Sequence, residues 1–144
     1  MQKPIASLMV VGLLVVAACG TGGEPGPVSS LEDFAGTTYK NQGPGAQFYL
    51  HILEDGTLHL SSNRDLVVDR PQIIDETRFE GTKVFLKNTK GVCVDEDAIA
   101  DATYEIHLLE NGNLQFVDIE DKCGARASFF PAEWAPVLRR SPSQ

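Results

Sequence analysis

Apolar and polar residues alternate with a period of two through most of the chain after residue 30. Within residues 47–53, for example, Phe48, Leu50 and Ile52 would share one face. Such alternation predicts strands with one buried and one solvated face, and no helical spacing of apolar residues persists beyond a turn or two. The predicted strands are 37–41, 47–53, 57–62, 64–69, 73–79, 82–88, 101–109, 113–119 and 125–130.

Short glycine-containing turns connect several of these strands. Residues 53–58 and 109–114 place Gly56 and Gly112 where a hairpin loop needs a left-handed backbone conformation. This succession of hairpins predicts an all-β fold, a small antiparallel up-and-down β-barrel of about eight strands, because closure removes exposed strand edges. A β-sandwich is the alternative.

The alternation also predicts which side chains fill the barrel. They occupy the apolar face of each strand: Phe48, Leu50, Ile52, Leu58, Leu60, Phe79, Val84, Leu86, Tyr104, Ile106, Leu108, Leu114, Phe116 and Phe129. Several are aromatic and none is Gly or Ala, so we expect the side chains to fill the barrel and to leave no large ligand cavity.

The N-terminal region carries a sorting signal. After Lys3, an apolar run too short to span a bilayer of roughly 30 Å ends in Val16-Ala17-Ala18-Cys19. These four residues resemble the lipobox of bacterial lipoproteins. The resemblance implies that residues 1–18 are a lipoprotein signal peptide, that Cys19 is lipidated (including palmitate), and that the protein is anchored on the exported side of a bacterial membrane. Whether that is an inner or an outer membrane stays open.

Composition then divides the remaining chain. Gly, Pro and Ser dominate residues 20–30, which is typical of a linker rather than a packed element. We therefore expect a flexible tether over residues 19–33, the barrel domain over 34–137, and a disordered tail over 138–144.

Acidic residues outnumber basic ones, with 20 Asp and Glu against 12 Lys and Arg and a formal net charge of −8. Because nucleic-acid binders normally need a basic face, we predict no nucleic-acid partner. Removal of residues 1–18 would also remove Lys3 and leave the chain more acidic. Anionic headgroups repel an acidic domain, so we expect the lipid on Cys19 to provide the attachment to the membrane.

The three cysteines have two different expected roles. If Cys19 carries lipid, Cys93 and Cys123 remain, and in an oxidising exported compartment we expect them to form a disulfide bond. The enclosed loop of about 30 residues would contribute roughly 3–4 kcal/mol by its effect on chain entropy.

Several short motifs resemble those of small bacterial lipocalin-like (calycin) lipoproteins. They are the opening Gly36-Thr-Thr-Tyr39, the cysteine at 93, the segment Asp121-Lys-Cys-Gly-Ala-Arg126 and the closing Trp134. Lipocalins usually open with Gly-x-Trp and cover that Trp with an Arg of the last strand, whereas here Tyr39 stands near the place of the Trp. The resemblance implies an antiparallel barrel closed at one end, with ligand binding or no known activity.

Arg126 then has two interpretations. Packed over an aromatic ring such as that of Tyr39, it would form a structural cation–π lid. Facing the open mouth of the barrel, it would anchor the carboxylate of a ligand.

The chain carries no familiar catalytic motif: no Gly-rich phosphate loop, no His-Glu-x-x-His and no Gly-x-Ser-x-Gly. We therefore predict that the protein is not an enzyme and needs no cofactor. His51 and His59 are weak candidates for metal ligands, because they would pair across a hairpin and point outward. Since no third or fourth ligand is evident, a solvated polar pair is the favoured interpretation.

Two functions fit these observations. The first is a membrane-anchored exported lipoprotein whose lipocalin-like barrel binds a small apolar ligand without catalysis. The second is a protein-binding envelope lipoprotein with a filled barrel, which engages a partner or inhibits a basic enzyme, because an acidic surface attracts a basic target. An apolar cavity of roughly 300 Å³ or more would favour the first, and a filled interior the second.

Overall fold

The computed structural model describes residues 24–91, 93–94 and 101–138. These residues form nine strands, one α-helix and two short 3₁₀ helices, Glu32–Phe34 and Arg64–Leu66. The other elements, in chain order, are β1 (Gly26–Pro27), β2 (Thr38–Asn41), β3 (Tyr49–Ile52), β4 (Leu58–Ser61), β5 (Ile73–Glu80), β6 (Lys83–Lys90), β7 (Asp101–Leu108), β8 (Leu114–Asp121), α1 (Gly124–Phe129) and β9 (Glu133–Pro136). No helix of this part of the chain has the length and apolar character needed to cross a membrane.

Eight of the strands form a closed antiparallel barrel. Strands β2 to β8 are neighbours in chain order, and β9 lies between β8 and β2, which closes the ring. The two-residue strand β1 is added outside the barrel, where Gly26 lies opposite Leu108 of β7. The all-β barrel predicted from the alternation is therefore confirmed, and it is compatible with a lipocalin-like fold.

The up-and-down order gives the barrel two different ends. The tight turns after β3, β5 and β7 lie at one end, which we call the short-turn end. The connections after β2, β4, β6 and β8 lie at the other, which we call the long-loop end; α1 is part of it.

The predicted strand 64–69 is wrong. Its first residues form the 3₁₀ helix Arg64–Leu66, because the side chain of Asn63 accepts a hydrogen bond from the backbone N–H of Asp65 at 2.9 Å. A short polar side chain that bonds the backbone two residues ahead favours a turn over an extended strand.

The predicted strand 125–130 is also wrong, because this segment contains the helix α1. The sulfur of Cys123 accepts from the backbone N–H of Arg126, and the Cys123 carbonyl accepts from the N–H of Ala127 at 2.9 Å. The buried residues Arg126 and Phe130 are four apart, which matches a helical turn. The last barrel strand is instead β9.

The tether predicted over residues 19–33 is shorter than expected in its described part. Beyond β1, the backbone N–H of Val28 donates to the carbonyl of Ile106 at 2.8 Å, and Leu31 and Phe34 are buried in the core. These two apolar residues sit three apart around a 3₁₀ helix, so both can face the barrel. The described residues do not include the predicted signal peptide over 1–18, residues 19–23 with Cys19, or residues 139–144 of the predicted tail.

The predicted interior side chains form one apolar cluster. All are buried except Phe48, Phe79 and Phe129, which are partly buried and pack against the others. The ring of Phe130 contacts two of them, with ring centroids 4.7 Å from Phe116 and 5.4 Å from Tyr104, and its centroid also lies 6.0 Å from that of Trp134. Large rings in edge-to-face and tilted contact thus occupy the centre of the barrel.

The disulfide bond between Cys93 and Cys123 is confirmed, with the two Cα atoms 6.2 Å apart. It joins the segment after β6 to the residue that precedes α1. The bond therefore ties two connections of the long-loop end to each other.

We predict that reduction of this disulfide lowers the free energy of unfolding by about 3–4 kcal/mol, because the bond restricts a loop of about 30 residues in the unfolded chain. Urea unfolding of the oxidised and the reduced wild-type protein measures the difference. Reduction is preferable to substitution here, since the sulfur of Cys123 also caps α1. Equal midpoints for the two forms would contradict the prediction.

The two similar hairpins give a second, matched prediction. Gly56 and Gly112 both have a left-handed backbone, with φ of +85° and +84°. A Cβ atom on Gly56 would lie 2.9 Å from Oγ1 of Thr77, whereas one on Gly112 would meet nothing within 4 Å. Gly112→Ala should therefore cost only the backbone term of about 1–2 kcal/mol, and Gly56→Ala clearly more. Equal losses in urea unfolding would show that the contact with Thr77 is unimportant.

Candidate functional site

The most unusual polar group in the barrel is Arg126, a residue that is only 1% exposed. Helix α1 directs it inward, where it meets carboxylates of β5 and β8. We use the name Arg126 cluster for Arg126, Asp75, Asp121, Asn88 and Tyr104.

Asp121, at the end of β8, is the main partner of Arg126. The Nε atom of Arg126 donates to Oδ2 of Asp121 at 2.8 Å, and its Nη2 atom donates to Oδ1 at 3.0 Å. The hydroxyl of Tyr104 donates to the same Oδ2 at 2.5 Å, and the backbone N–H of Cys123 donates to Oδ1 at 2.9 Å. This two-pronged geometry is the strong form of an arginine–carboxylate pair.

Asp75, in β5, is the second carboxyl group of the cluster and is fully buried. Its Oδ1 atom accepts from Nη1 of Arg126 at 3.2 Å and from Nδ2 of Asn88 at 3.1 Å. Asn88 lies directly opposite Asp75 in the β5–β6 pairing, which sets the contact between the two side chains.

Burial and mutual charge shift the ionisation of these groups. Burial raises the pKa of Asp75, and the positive charge of Arg126 offsets only part of that increase. Burial disfavours the charged form of Arg126, but the hydrogen bonds that it donates to Asp121 and the negative charge of Asp121 outweigh this effect and raise the pKa of Arg126. Burial, followed by the hydrogen bond to Asp121, raises the pKa of Tyr104. The cluster therefore holds Arg126 charged and Tyr104 neutral.

The environment of Arg126 differs from both interpretations made from the sequence. Its guanidinium contacts the side-chain carboxyl groups of Asp75 and Asp121 within the protein, and its burial keeps it away from the solvent. Tyr39 is itself buried in β2, where burial raises its pKa to about 12. In the described part of the chain, the arginine that lies over an aromatic ring is Arg78, 4.5 Å from the ring centre of Phe85.

Trp134 belongs to β9 and is fully buried. It lies opposite Asn41 and Leu114, and its indole N–H donates to the carbonyl of Phe130 at 3.2 Å. The residue that the lipocalin resemblance singled out therefore helps to close the barrel and to fix the end of α1.

The two histidines pair as predicted but are not both solvated. His51 lies opposite His59 in the β3–β4 pairing. His51 is buried and its Nδ1 atom lies 2.9 Å from the hydroxyl oxygen of Thr38, while Nδ1 of His59 donates to the carbonyl of Val68 at 3.0 Å. Among the described residues no group of three or more His, Cys, Asp or Glu is arranged to hold a metal ion.

Sequence reasoning missed Asp75 and Asn88. Both occupy the inward phase of their strands, Asp75 between Ile73 and Thr77 and Asn88 after Leu86. The sequence signal for both is a polar residue at a position where the alternation predicts an apolar one.

The outer surface carries a second notable feature along β8. Val117 and Ile119 are 41% and 48% exposed, and the acidic residues Asp118 and Glu120 beside them are exposed too. Strand β8 pairs with β7 along its length, but with β9 only at Leu114 and Gln115. We call residues 117–120 the β8 strip.

A groove of about 510 Å³ lies next to the β8 strip, on the outer face of β5 to β8. Arg78, Phe85, Thr103 and Glu120 form a row across its four strands, each opposite the next. The groove is therefore open and lined by both charged and apolar side chains.

We predict that Arg126→Met lowers the free energy of unfolding by about 3–5 kcal/mol, because it leaves the buried carboxylate of Asp121 without its counter-ion. The matched control is Arg78→Met, which removes an exposed arginine that pairs with Glu80 and should cost at most about 1 kcal/mol. Urea unfolding measures both variants, and similar losses for the two would contradict the prediction.

Comparison of the chain with protein-family models finds no match, and comparisons with curated proteins and with solved structures find none either.

Proposed function

We propose that this protein is a lipid-anchored lipoprotein of a bacterial cell envelope that binds a basic protein through the outside of a filled barrel, without catalysis. The single observation that carries the proposal is the packing of the barrel. Membrane attachment through Cys19 rests on the lipobox resemblance alone.

The interior offers little room for a ligand. Leu31 and Phe34 cover the short-turn end as part of the core, and the rings of Phe48 and Phe129 stack at 4.5 Å at the long-loop end. The aromatic cluster around Phe130 fills space inside the barrel, and the Arg126 cluster occupies the long-loop end beside α1. An apolar ligand would have to displace these side chains, which favours the outside of the barrel as the binding surface.

The β8 strip is the best candidate for that surface. Stable interfaces combine an apolar centre with a polar rim, and Val117 and Ile119 lie among exposed acidic residues. The acidic side chains would attract a basic partner, while the two apolar ones would be buried on contact.

The position of β1 would leave this surface accessible in an anchored molecule. The chain enters the barrel at the short-turn end, because Gly26 pairs with Leu108 at the end of β7. From Cys19 to Glu24 the chain can span at most about 17 Å. The membrane would therefore lie next to the short-turn end, and the long-loop end would face away from it.

The first test asks whether the barrel carries cargo. Native mass spectrometry of the protein purified from its own host, with the lipid anchor removed, should give the mass of the polypeptide alone. A bound apolar molecule at stoichiometric level would contradict the filled-barrel proposal and support the small-ligand hypothesis.

The second test maps the binding surface in intact membranes of the host. A photo-reactive amino acid at position 117 or 119 should crosslink a protein with a basic isoelectric point, and raised salt should reduce the yield because charge attraction contributes to binding. The matched control is position 68, since Val68 is exposed to a similar extent at 43% but lies in a different part of the barrel. Equal crosslinking from position 68, or only lipid adducts, would contradict the proposed surface.

A further inference from the structure

Two buried oxygen atoms in the Arg126 cluster have no hydrogen-bond partner among the described residues. They are Oδ2 of Asp75 and Oδ1 of Asn88, in residues that are 0% and 4% exposed. Buried polar atoms are normally satisfied, since leaving them unpaired costs free energy. Two such atoms on two side chains already in contact require a common explanation.

We infer that Asp75 is protonated in the folded protein at neutral pH, and that its carboxylic acid forms a cyclic hydrogen-bonded pair with the amide of Asn88. One half of this pair is present, because Nδ2 of Asn88 donates to Oδ1 of Asp75 at 3.1 Å. A proton on Oδ2 turns that atom into a donor, and Oδ1 of Asn88 is the unused acceptor on the opposite side chain. A single proton thus satisfies both atoms.

The charges of the cluster lead to the same conclusion. Arg126 provides one positive charge, and Asp121 balances it with two hydrogen bonds. An ionised Asp75 would leave this buried group with one excess negative charge, whereas a neutral Asp75 leaves it without net charge.

Three elements contribute the polar and charged groups that act on Asp75: Asn88 of β6, Asp121 of β8 and Arg126 of α1. Tyr104 of β7 in turn donates a hydrogen bond to Asp121. Arg126 favours ionisation of Asp75, but its stronger contacts are those with Asp121, which itself disfavours a second negative charge. The upward shift in the pKa of Asp75 agrees with this balance.

Protonation of Asp75 in the folded state makes the stability of the protein depend on pH. In the unfolded chain Asp75 ionises near pH 3.9, whereas in the folded protein it keeps its proton to higher pH. The folded state then binds one more proton than the unfolded state between these two pKa values, so this group lowers stability as the pH rises through that window. Its stabilising contribution is complete only below the unfolded pKa.

Carbon-13 NMR of the wild-type protein tests the protonation state directly. At pH 7 the Cγ resonance of Asp75 should lie at the position of a carboxylic acid, and that of Asp121 at the position of a carboxylate. A carboxylate resonance for Asp75 at pH 7 would overturn the inference.

A matched pair of variants gives a second test. In Asp75→Asn, the new amide can replace the neutral acid in the ring, so the folding equilibrium constant at pH 7 should be equal to or higher than that of the wild type. The part of its pH dependence that comes from the titration of Asp75 should disappear. In Asp121→Asn the counter-ion of Arg126 is lost, and the constant should fall at least tenfold. If Asp75→Asn causes a fall as large as Asp121→Asn, then Asp75 is an ionised partner of Arg126 and the inference is wrong.

Discussion

The contact between Arg126 and Asp121 is the interaction on which the long-loop end of the barrel depends. It joins α1 to the end of β8 and places a positive charge beside β5. A buried charge is tolerated only when it is paired and hydrogen-bonded, so the helix, the two strands and Tyr104 must keep their relative positions. The disulfide bond ends at Cys123, two residues after Asp121, and holds the same junction covalently.

The sequence predicts those parts of the structure that depend on interactions between residues close together in the chain. Alternation identifies β3 to β8 because the buried face of each strand can be recognised from the residues of that strand alone. It fails at residues 64–69 and 125–130, where the side chain of Asn63 and the sulfur of Cys123 bond the backbone and stabilise turns of helix. It also gives no sign of the contacts of Leu31 and Phe34, which depend on how the N-terminal segment crosses the barrel.

The Arg126 cluster shows why a site is harder to predict than a fold. The motif around Cys123 draws attention to Arg126, but the partners of Arg126 come from positions up to 51 residues away in the chain. Only the barrel closure brings Asp75 to the same place. The disulfide, by contrast, can be predicted from the number of cysteines and the expected oxidising compartment. Neither argument requires knowing how far apart the two residues lie in space.

The two-residue strand β1 has a mechanical consequence if the chain is held by lipid at its N-terminus. A force on the anchor would act first on the pairing of Gly26 and Pro27 with β7. Release of residues 24–30 would allow this segment to extend to at most about 23 Å before Leu31 and the core are disturbed. With such an anchor, the segment would act as a short extensible element, and the barrel could move away from the bilayer under load while its own packing stays intact.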